Sequence, residues 1–223
     1  MTVRITAALF LVRVCGNTLA QSCENGEVPR SLDHDARETA VGEAAWRVLV
    51  RDGITALSVR NVAAEAGLAA SSLRYTFPTQ ASLRVFALEL VARRAEARIR
   101  ALPPGATVRA SVEERLRHLL PLDVERRLEM EVFLVIGTVA LTDPALRPVY
   151  DRASEDLRAG CADLLTALAT DPACAGLDVA AETPRLHALV DGLALHLVYQ
   201  GPADPTGWAT DALARHLDSL AAG

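Results

Sequence analysis

Residues Leu57 to Leu83 read LSVRNVAAEAGLAASSLRYTFPTQASL, and this stretch decides the fold. Ser58 stands before an apolar-periodic run and suits the N-cap of a short helix, with Gly67 just past its end. A second short helix is expected from about Ala70 to Tyr75, and Pro78 forbids its simple continuation. Two short helices joined by a tight turn cross closely, so small residues are needed where the backbones meet. Ala63 and Gly67 supply them. Val59, Val62, Ala66, Leu68 and Leu73 fall where a third helix can cover them. This is the layout of a helix-turn-helix, whose second helix enters the major groove of DNA. A plain helical hairpin shares the Ala…Gly…Leu spacing, so the spacing alone leaves both readings open.

Outward from this motif the chain reads as helices, with no alternating strand pattern of useful length and no internal repeat. A first helix is expected from Asp35 to Arg51, with Val41, Ala44, Ala45, Val48 and Leu49 on one face and Asp52-Gly53 closing it. A long fourth helix begins near Thr79 and ends before Pro103-Pro104-Gly105. A fifth covers about Thr107 to Leu120. A sixth covers about Val124 to Leu141, with Met130, Phe133, Leu134, Gly137 and Leu141 on one stripe. Asp143-Pro144 and Thr183-Pro184 combine a capping side chain with proline, which predicts the starts of the seventh and eighth helices. The ninth is expected from near Asp204-Pro205. The fold class is therefore all-α: a three-helix domain over residues 28–82 and a larger helical domain over 83–223.

Composition agrees. Apolar residues make up 51% of the 223 and aromatics 4%, so Leu, Val and Ala must build the core, which favours helices. Residues 28–100 carry 11 basic and 8 acidic side chains, whereas 101–223 carry 10 and 18. Such asymmetry points to a polyanion partner for the first part, or to two ordinary solvated surfaces. All 23 basic residues are Arg. Any phosphate contact must therefore use Arg, a neutral side chain or a backbone N–H. Cys15, Cys23, Cys161 and Cys174 show neither C-x-x-C nor zinc-ligand spacing, and free thiols in a reducing compartment are expected. No apolar run is long enough for a membrane span. Residues 1–27 loosely mimic a signal peptide, with Arg4, the apolar Ala7 to Val12 and Thr18-Leu19-Ala20, but Arg13 interrupts the apolar stretch. They are read as an extension outside the fold, such as upstream sequence translated from a misassigned start. The expected location is the cytoplasm.

The wider pattern resembles the DNA-binding domain of the TetR family of regulators. Its elements stand here as Ser58, Val59-Arg60-Asn61-Val62-Ala63, Ala66-Gly67 and Leu73-Arg74-Tyr75-Thr76-Phe77-Pro78, and the match covers about Asp35 to Glu89. The stretches LPLDVERRLEMEVFLVI, LTDPALRPVYDRASEDLR and LVDGLALHLVYQG resemble, more weakly, the larger half of its BetI-like branch. The resemblance implies a dimeric, ligand-responsive repressor that grips a palindromic operator and is released by a small apolar or amphipathic molecule. Residue roles follow motif by motif. Arg60 touches bases or phosphates; Ala69, Ala70, Ser71 and Ser72, with Arg74, Tyr75 and Thr76, form the recognition helix and its flanks; Ser58 offers its hydroxyl or N–H to a phosphate. Two positions depart from the family: Thr76 replaces a frequent aromatic or His, and Gln80 a phosphate-binding Lys. Gln80 can bond phosphate but contributes no counterion release.

The same resemblance implies an effector pocket in the larger domain. Its candidate lining is His118, Met130, Phe133, Leu134, Gly137 and Tyr150, each of which also suits the core. The eighth and ninth helices are expected to pair with their two-fold mates through Leu186, Leu189, Val190, Leu193, Leu197, Leu213 and Leu217. His187 and Asp191 share a helix face, but His196 points elsewhere, so solvated or interface residues explain them more simply than a metal. Glu129 and Glu131, with Arg126 and Arg127, read as a wet face with surface ion pairs. No cofactor is implied. An all-helical enzyme or carrier is the alternative function; it has no use for a basic helix-turn-helix, and no catalytic arrangement supports it.

Overall fold

A computed structural model of the chain describes residues 30–201 and 203–221, with side chains from Arg37 onward. The expected extension over 1–27 lies outside the described residues. Among those described there are nine α-helices and no strand: α1 (Arg30–Asp52), α2 (Val59–Glu65), α3 (Ala70–Thr76), α4 (Gln80–Arg100), α5 (Val108–Arg117), α6 (Val124–Ala140), α7 (Arg147–Leu168), α8 (Val179–Tyr199) and α9 (Gly207–Ser219). The chain divides into two compact units inside α4, between Leu90 and Val91, rather than at the start of that helix.

In the smaller unit, local signals set both ends of α2 and the start of α4. Ser58 has extended backbone, and its hydroxyl oxygen accepts from Asn61 N at 3.2 Å, which starts α2. At the other end Leu68 N donates to Ala63 O (2.9 Å) and Gly67 N to Ala64 O (3.3 Å), the paired bonds of a Schellman stop. That stop needs a left-handed residue, and Gly67 supplies it at φ 67°. Thr79 and Ser82 then cap α4 reciprocally through their hydroxyls and amides. Val41, Ala44, Ala45, Val48 and Leu49 of α1 are buried as the periodicity requires, together with Leu57, Val62, Ala63 and Leu73. Phe77 and Phe86 close this core with ring centroids 5.0 Å apart.

In the larger unit α7 and α8 share the most extensive contact; α5 also packs on α7 and α9, and α6 on α7 and α8. The core is aliphatic: Val112, Leu116, Leu120, Leu165, Leu168, Leu186, Val190 and Leu197, with the thiols of Cys161 and Cys174 among them. Two starts differ from expectation. Asp143 Oδ1 accepts from Ala145 N in a turn, and α7 begins only at Arg147 with Pro148 in its first turn. Asp178 caps α8 by accepting from Ala181 N at 3.1 Å, so Pro184 falls inside the helix. A proline so near an N-terminus removes few intrahelical bonds, and buried Thr183 beside it donates its hydroxyl to Val179 O at 2.7 Å.

Candidate nucleic-acid interface and effector region

Each exposed side chain of the motif is placed by a buried neighbour. Leu73 is 1% exposed, and the helical period turns Arg74, Tyr75 and Thr76 outward. Tyr75 is 91% exposed, which is extreme for an aromatic ring. Val62 is buried, so Arg60, two residues earlier in α2, faces solvent. Arg60 and Arg74 make no ion pair or hydrogen bond among the described residues. The described arginines of α1 are occupied, Arg37 by Ser72 and the other two by Glu65. Arg47 Nε and Arg51 Nη1 each reach Glu65 at 2.7 Å, clipping α1 to α2. Hydrogen bonds from Arg51 and then Arg47 hold the Glu65 carboxyl below its usual range.

Of the remaining motif residues, Ala69 is the exposed N-cap of α3, Ala70 is half-buried and Ser71 is exposed. Two positions do something other than expected. Ser72 is half-buried and its hydroxyl is taken by Arg37 of α1. Gln80 donates from Nε2 to the Leu57 carbonyl at 2.8 Å, tying α4 to the segment before α2. One N–H of its amide therefore serves the fold, which leaves the second for any other acceptor. Neither partner was evident in the sequence, because Arg37 and Leu57 lie 35 and 23 residues away.

The six candidates for an effector pocket separate. Phe133 and Tyr150 pack with ring centroids 5.1 Å apart and planes inclined at 34°. A Cβ on Gly137 would come within 2.5 Å of Tyr150 Cε2, so the missing side chain is what admits the ring. Phe133, Leu134 and Met130 are half-buried on the flank of α6, whose inward stripe is Leu128, Val132, Ile136 and Ala140. His118 is elsewhere: its Nε2 stands 3.3 Å from Glu114, and burial first, then the charge of Arg126, hold its pKa below the ordinary histidine value. Arg126 and Gly137 are separated along α6 by about 16 Å at 1.5 Å per residue, so His118 does not join Tyr150.

A residue that the sequence reading placed on a solvated or interface surface contributes to the electrostatics of this ring. Asp191 of α8 acts electrostatically on Tyr150, whose pKa is raised by burial and then by that charge. Glu129 is a second correction, being buried and paired with Arg98. Arg127, expected at the surface, donates to the carbonyls of Leu197, Val198 and Gln200 at the end of α8.

The expected pairing residues also move. Leu186, Val190, Leu193, Leu197, Leu213 and Leu217 are at most 5% exposed within a single chain, and Leu189 is half-buried against the same core. They hold α8 and α9 to their own unit. The outer face of these helices instead carries Leu195, Tyr199 and Trp208, with Trp208 Nε1 donating to Gln200 Oε1 at 3.1 Å.

Comparison with known proteins agrees with this geometry. Residues 43–85 match the family model of bacterial regulatory proteins of the tetR family, and residues 108–222 match that of the C-terminal domain of BetI-type transcriptional repressors. The chain is 32% identical over 199 residues to the HTH-type transcriptional regulator PksA of Bacillus subtilis (strain 168), covering 86% of this chain and 94% of that protein. Among solved structures, the multidrug binding protein EbrR complexed with ethidium is 33% identical, with a TM-score of 0.55 over 80% of this chain and 97% of its own. A transcriptional regulator from Rhodococcus sp. Rha1 shares the fold with a TM-score of 0.66 at 24% identity, over 82% of this chain and 95% of its own.

Proposed function

Because the chain belongs to the TetR family of transcriptional regulators, we propose that it is a cytoplasmic, dimeric repressor that binds a palindromic operator and is released by a small molecule. The observation that carries the reading is a helix-turn-helix that exposes Arg60 on α2 and Arg74 with Tyr75 on α3, both guanidiniums without a partner among the described residues. Arg74 donates to guanine O6 and N7 or to a phosphate; Arg60, Ser58, Ser71, Tyr75 and Thr76 hold the backbone. Each copy reads one half-site, the two being about one helical turn apart.

A second copy docks on the outer face of α8 and α9. Leu195, Tyr199 and Trp208 remain 37%, 79% and 41% exposed there, and large apolar groups in one place call for a cover. The effector occupies the larger unit beside Phe133, Gly137 and Tyr150, and the similarity to the multidrug binding protein EbrR, solved with ethidium, supports a small-molecule effector. It acts by preferring a conformation that misfits the operator, to the extent of its differential affinity for the two states. No helix among the described residues is long and apolar enough to cross a membrane.

The test is fluorescence anisotropy of the full chain on DNA flanking its own gene, against scrambled duplexes. Equal affinity for both at every salt concentration would sink the reading.

A further inference from the structure

We propose that the smaller unit carries a small-molecule site of its own, behind α3, and that its ligand is a neutral phenol of one aromatic ring. A cavity of about 230 Å3 lies there between α1, the end of α3 and α4, open to solvent on one side. Among the described residues its floor is Val41 of α1, Leu73 of α3, Phe77 just beyond it and Phe86 of α4, all buried. The two rings stand 5.0 Å apart at 54°, and Phe86 Cζ lies 3.8 Å from where Gly42 of α1 would carry a Cβ. The floor is therefore held by both helices. Water against such a floor is unfavourable, and an apolar body that displaces it gains. A cavity of about 150 Å3 lined by Leu, Ile and Phe already takes up benzene, and the larger space here admits a ring with a small substituent. The effector region beside Phe133 belongs to the other compact unit.

The rim says what the ring carries. Arg37 and Glu38 of α1 and Thr76 of α3 border the cavity, and all three are exposed. Arg37 gives one of its N–H groups to Ser72 Oγ, and Glu38 makes no hydrogen bond or ion pair among the described residues. Opposite charges on one rim favour neither an anion nor a cation. A phenol hydroxyl suits both, donating to the Glu38 carboxylate and accepting from Arg37. It is neutral at pH 7, because phenols ionise near a pKa of about 10. The position has a consequence that rests on the reading of the helix-turn-helix as the DNA reader. Leu73 forms the floor while Arg74 and Tyr75 beside it face outward, so the ligand touches the back of the helix whose front meets DNA. Arg37 holds that helix through Ser72, and Thr76 borders both the cavity and the outward face. A ligand that engages Arg37 and Thr76 draws them from that work, and operator affinity falls.

Methyl NMR of the full chain reads the site directly. Titrated p-cresol is expected to shift the methyls of Val41 and Leu73, and to bind about fivefold or more tighter than toluene, the same ring without the hydroxyl. Glu38→Ala removes most of that difference while toluene affinity stays within about twofold, which also shows the variant folded. Val41→Phe fills the floor, and p-cresol then leaves the Leu73 methyls unmoved in a chain that still melts cooperatively. In anisotropy titrations saturating p-cresol weakens operator binding of the parent by about fivefold or more and does not affect that of Val41→Phe. The site is overturned if the Val41 and Leu73 methyls do not shift, if the parent holds the two ligands alike, or if Glu38→Ala keeps the parent's preference. Its control of DNA is overturned if operator affinity ignores p-cresol, or if release persists in Val41→Phe, which places it in the larger unit. A parent whose methyls shift but which binds operator and scrambled duplexes alike keeps the site and loses the DNA reading.

Discussion

Arg98 of α4 and Glu129 of α6 meet in a two-pronged ion pair, with nitrogen–oxygen distances of 2.8 and 2.6 Å and Glu129 only 8% exposed. Burial works against the Arg98 charge, and the hydrogen bond and field of Glu129 outweigh it. The pair sits within the larger unit, flanked by the Arg94–Glu125 bridge at 2.9 Å one turn away on both helices.

Glu129→Ala strands a half-buried guanidinium and is expected to cost about 2–4 kcal/mol. Replacing both partners, as Arg98→Met with Glu129→Leu, should recover most of that loss because no charge is then left unpaired. Denaturant melts of the three variants decide it. Additive losses in the double variant would show that the pair is not coupled.

Gly137 gives a sign reversal to look for. In the parent, Gly137→Ala gains about 1 kcal/mol of helix propensity but forces the Tyr150 ring aside, and overpacking costs about 1–3 kcal/mol, so a net loss near 1 kcal/mol is expected. In a Tyr150→Ala background the clash is gone, and the same substitution should stabilise. Loss of stability in both backgrounds would mean that the contact does not set the glycine.

What was legible in the sequence follows from the range of each signal. Ser58, Gly67 and Leu73 act within a turn of themselves, so the helix-turn-helix could be read directly. Glu129 could not, because its partner lies 31 residues away and an acid between apolar residues looks like a solvent face. The leucines of α8 misled for a different reason. A helix with an apolar stripe must bury it, but the sequence does not say against which chain; α5, α7 and α9 of the same unit take Leu186, Leu193 and Leu197. Pro144 and Pro184 were ambiguous because proline is tolerated in a turn, at a first helical position or a little beyond it.

That distinction between stripes is itself testable. Leu193→Glu places a charge at a position 5% exposed and should destabilise the chain by several kcal/mol, lowering helicity rather than simply splitting dimers. Leu195→Glu and Trp208→Ala on the outer face should give folded monomers. Sedimentation velocity beside circular dichroism reads both. A dimer that survives Leu195→Glu together with Trp208→Ala places the partner elsewhere.

The thiol of Cys161 is wholly buried, and burial, then the charge of Asp191, push its pKa up to about 12. The folded state thus keeps its proton where an unfolded thiol ionises. The contribution is present below the ordinary thiol range and is lost as pH rises from there toward 12. Stability should fall across that window, more steeply than in Cys161→Ala. In the native chain at neutral pH, Cys161 should resist a thiol-specific disulfide reagent until denaturant is added; rapid labelling of Cys161 in the folded protein would contradict its burial.

Arg74 and Gln80 stand six residues apart at the end of α3 and the start of α4, and the structure gives them different work. Arg74 is exposed and without a partner among the described residues, whereas Gln80 gives one amide N–H to the Leu57 carbonyl. Salt dependence separates them, since only a cation releases counterions when it meets a phosphate. If Arg74 holds phosphate, Arg74→Ala should lower the slope of log affinity against log salt by about one per subunit, equally for operator and scrambled DNA. If it reads guanine, the loss should be about 1–3 kcal/mol per half-site and confined to the operator. Gln80→Ala should leave the slope alone and cost about 1 kcal/mol of stability, the worth of one part-buried hydrogen bond. Gln80→Lys should raise the slope, because it adds a cation at the mouth of α4, while losing the same tie. Anisotropy titrations at four salt concentrations, with melts of the free proteins, measure all of this. A slope that falls for Gln80→Ala and not for Arg74→Ala would exchange the two roles.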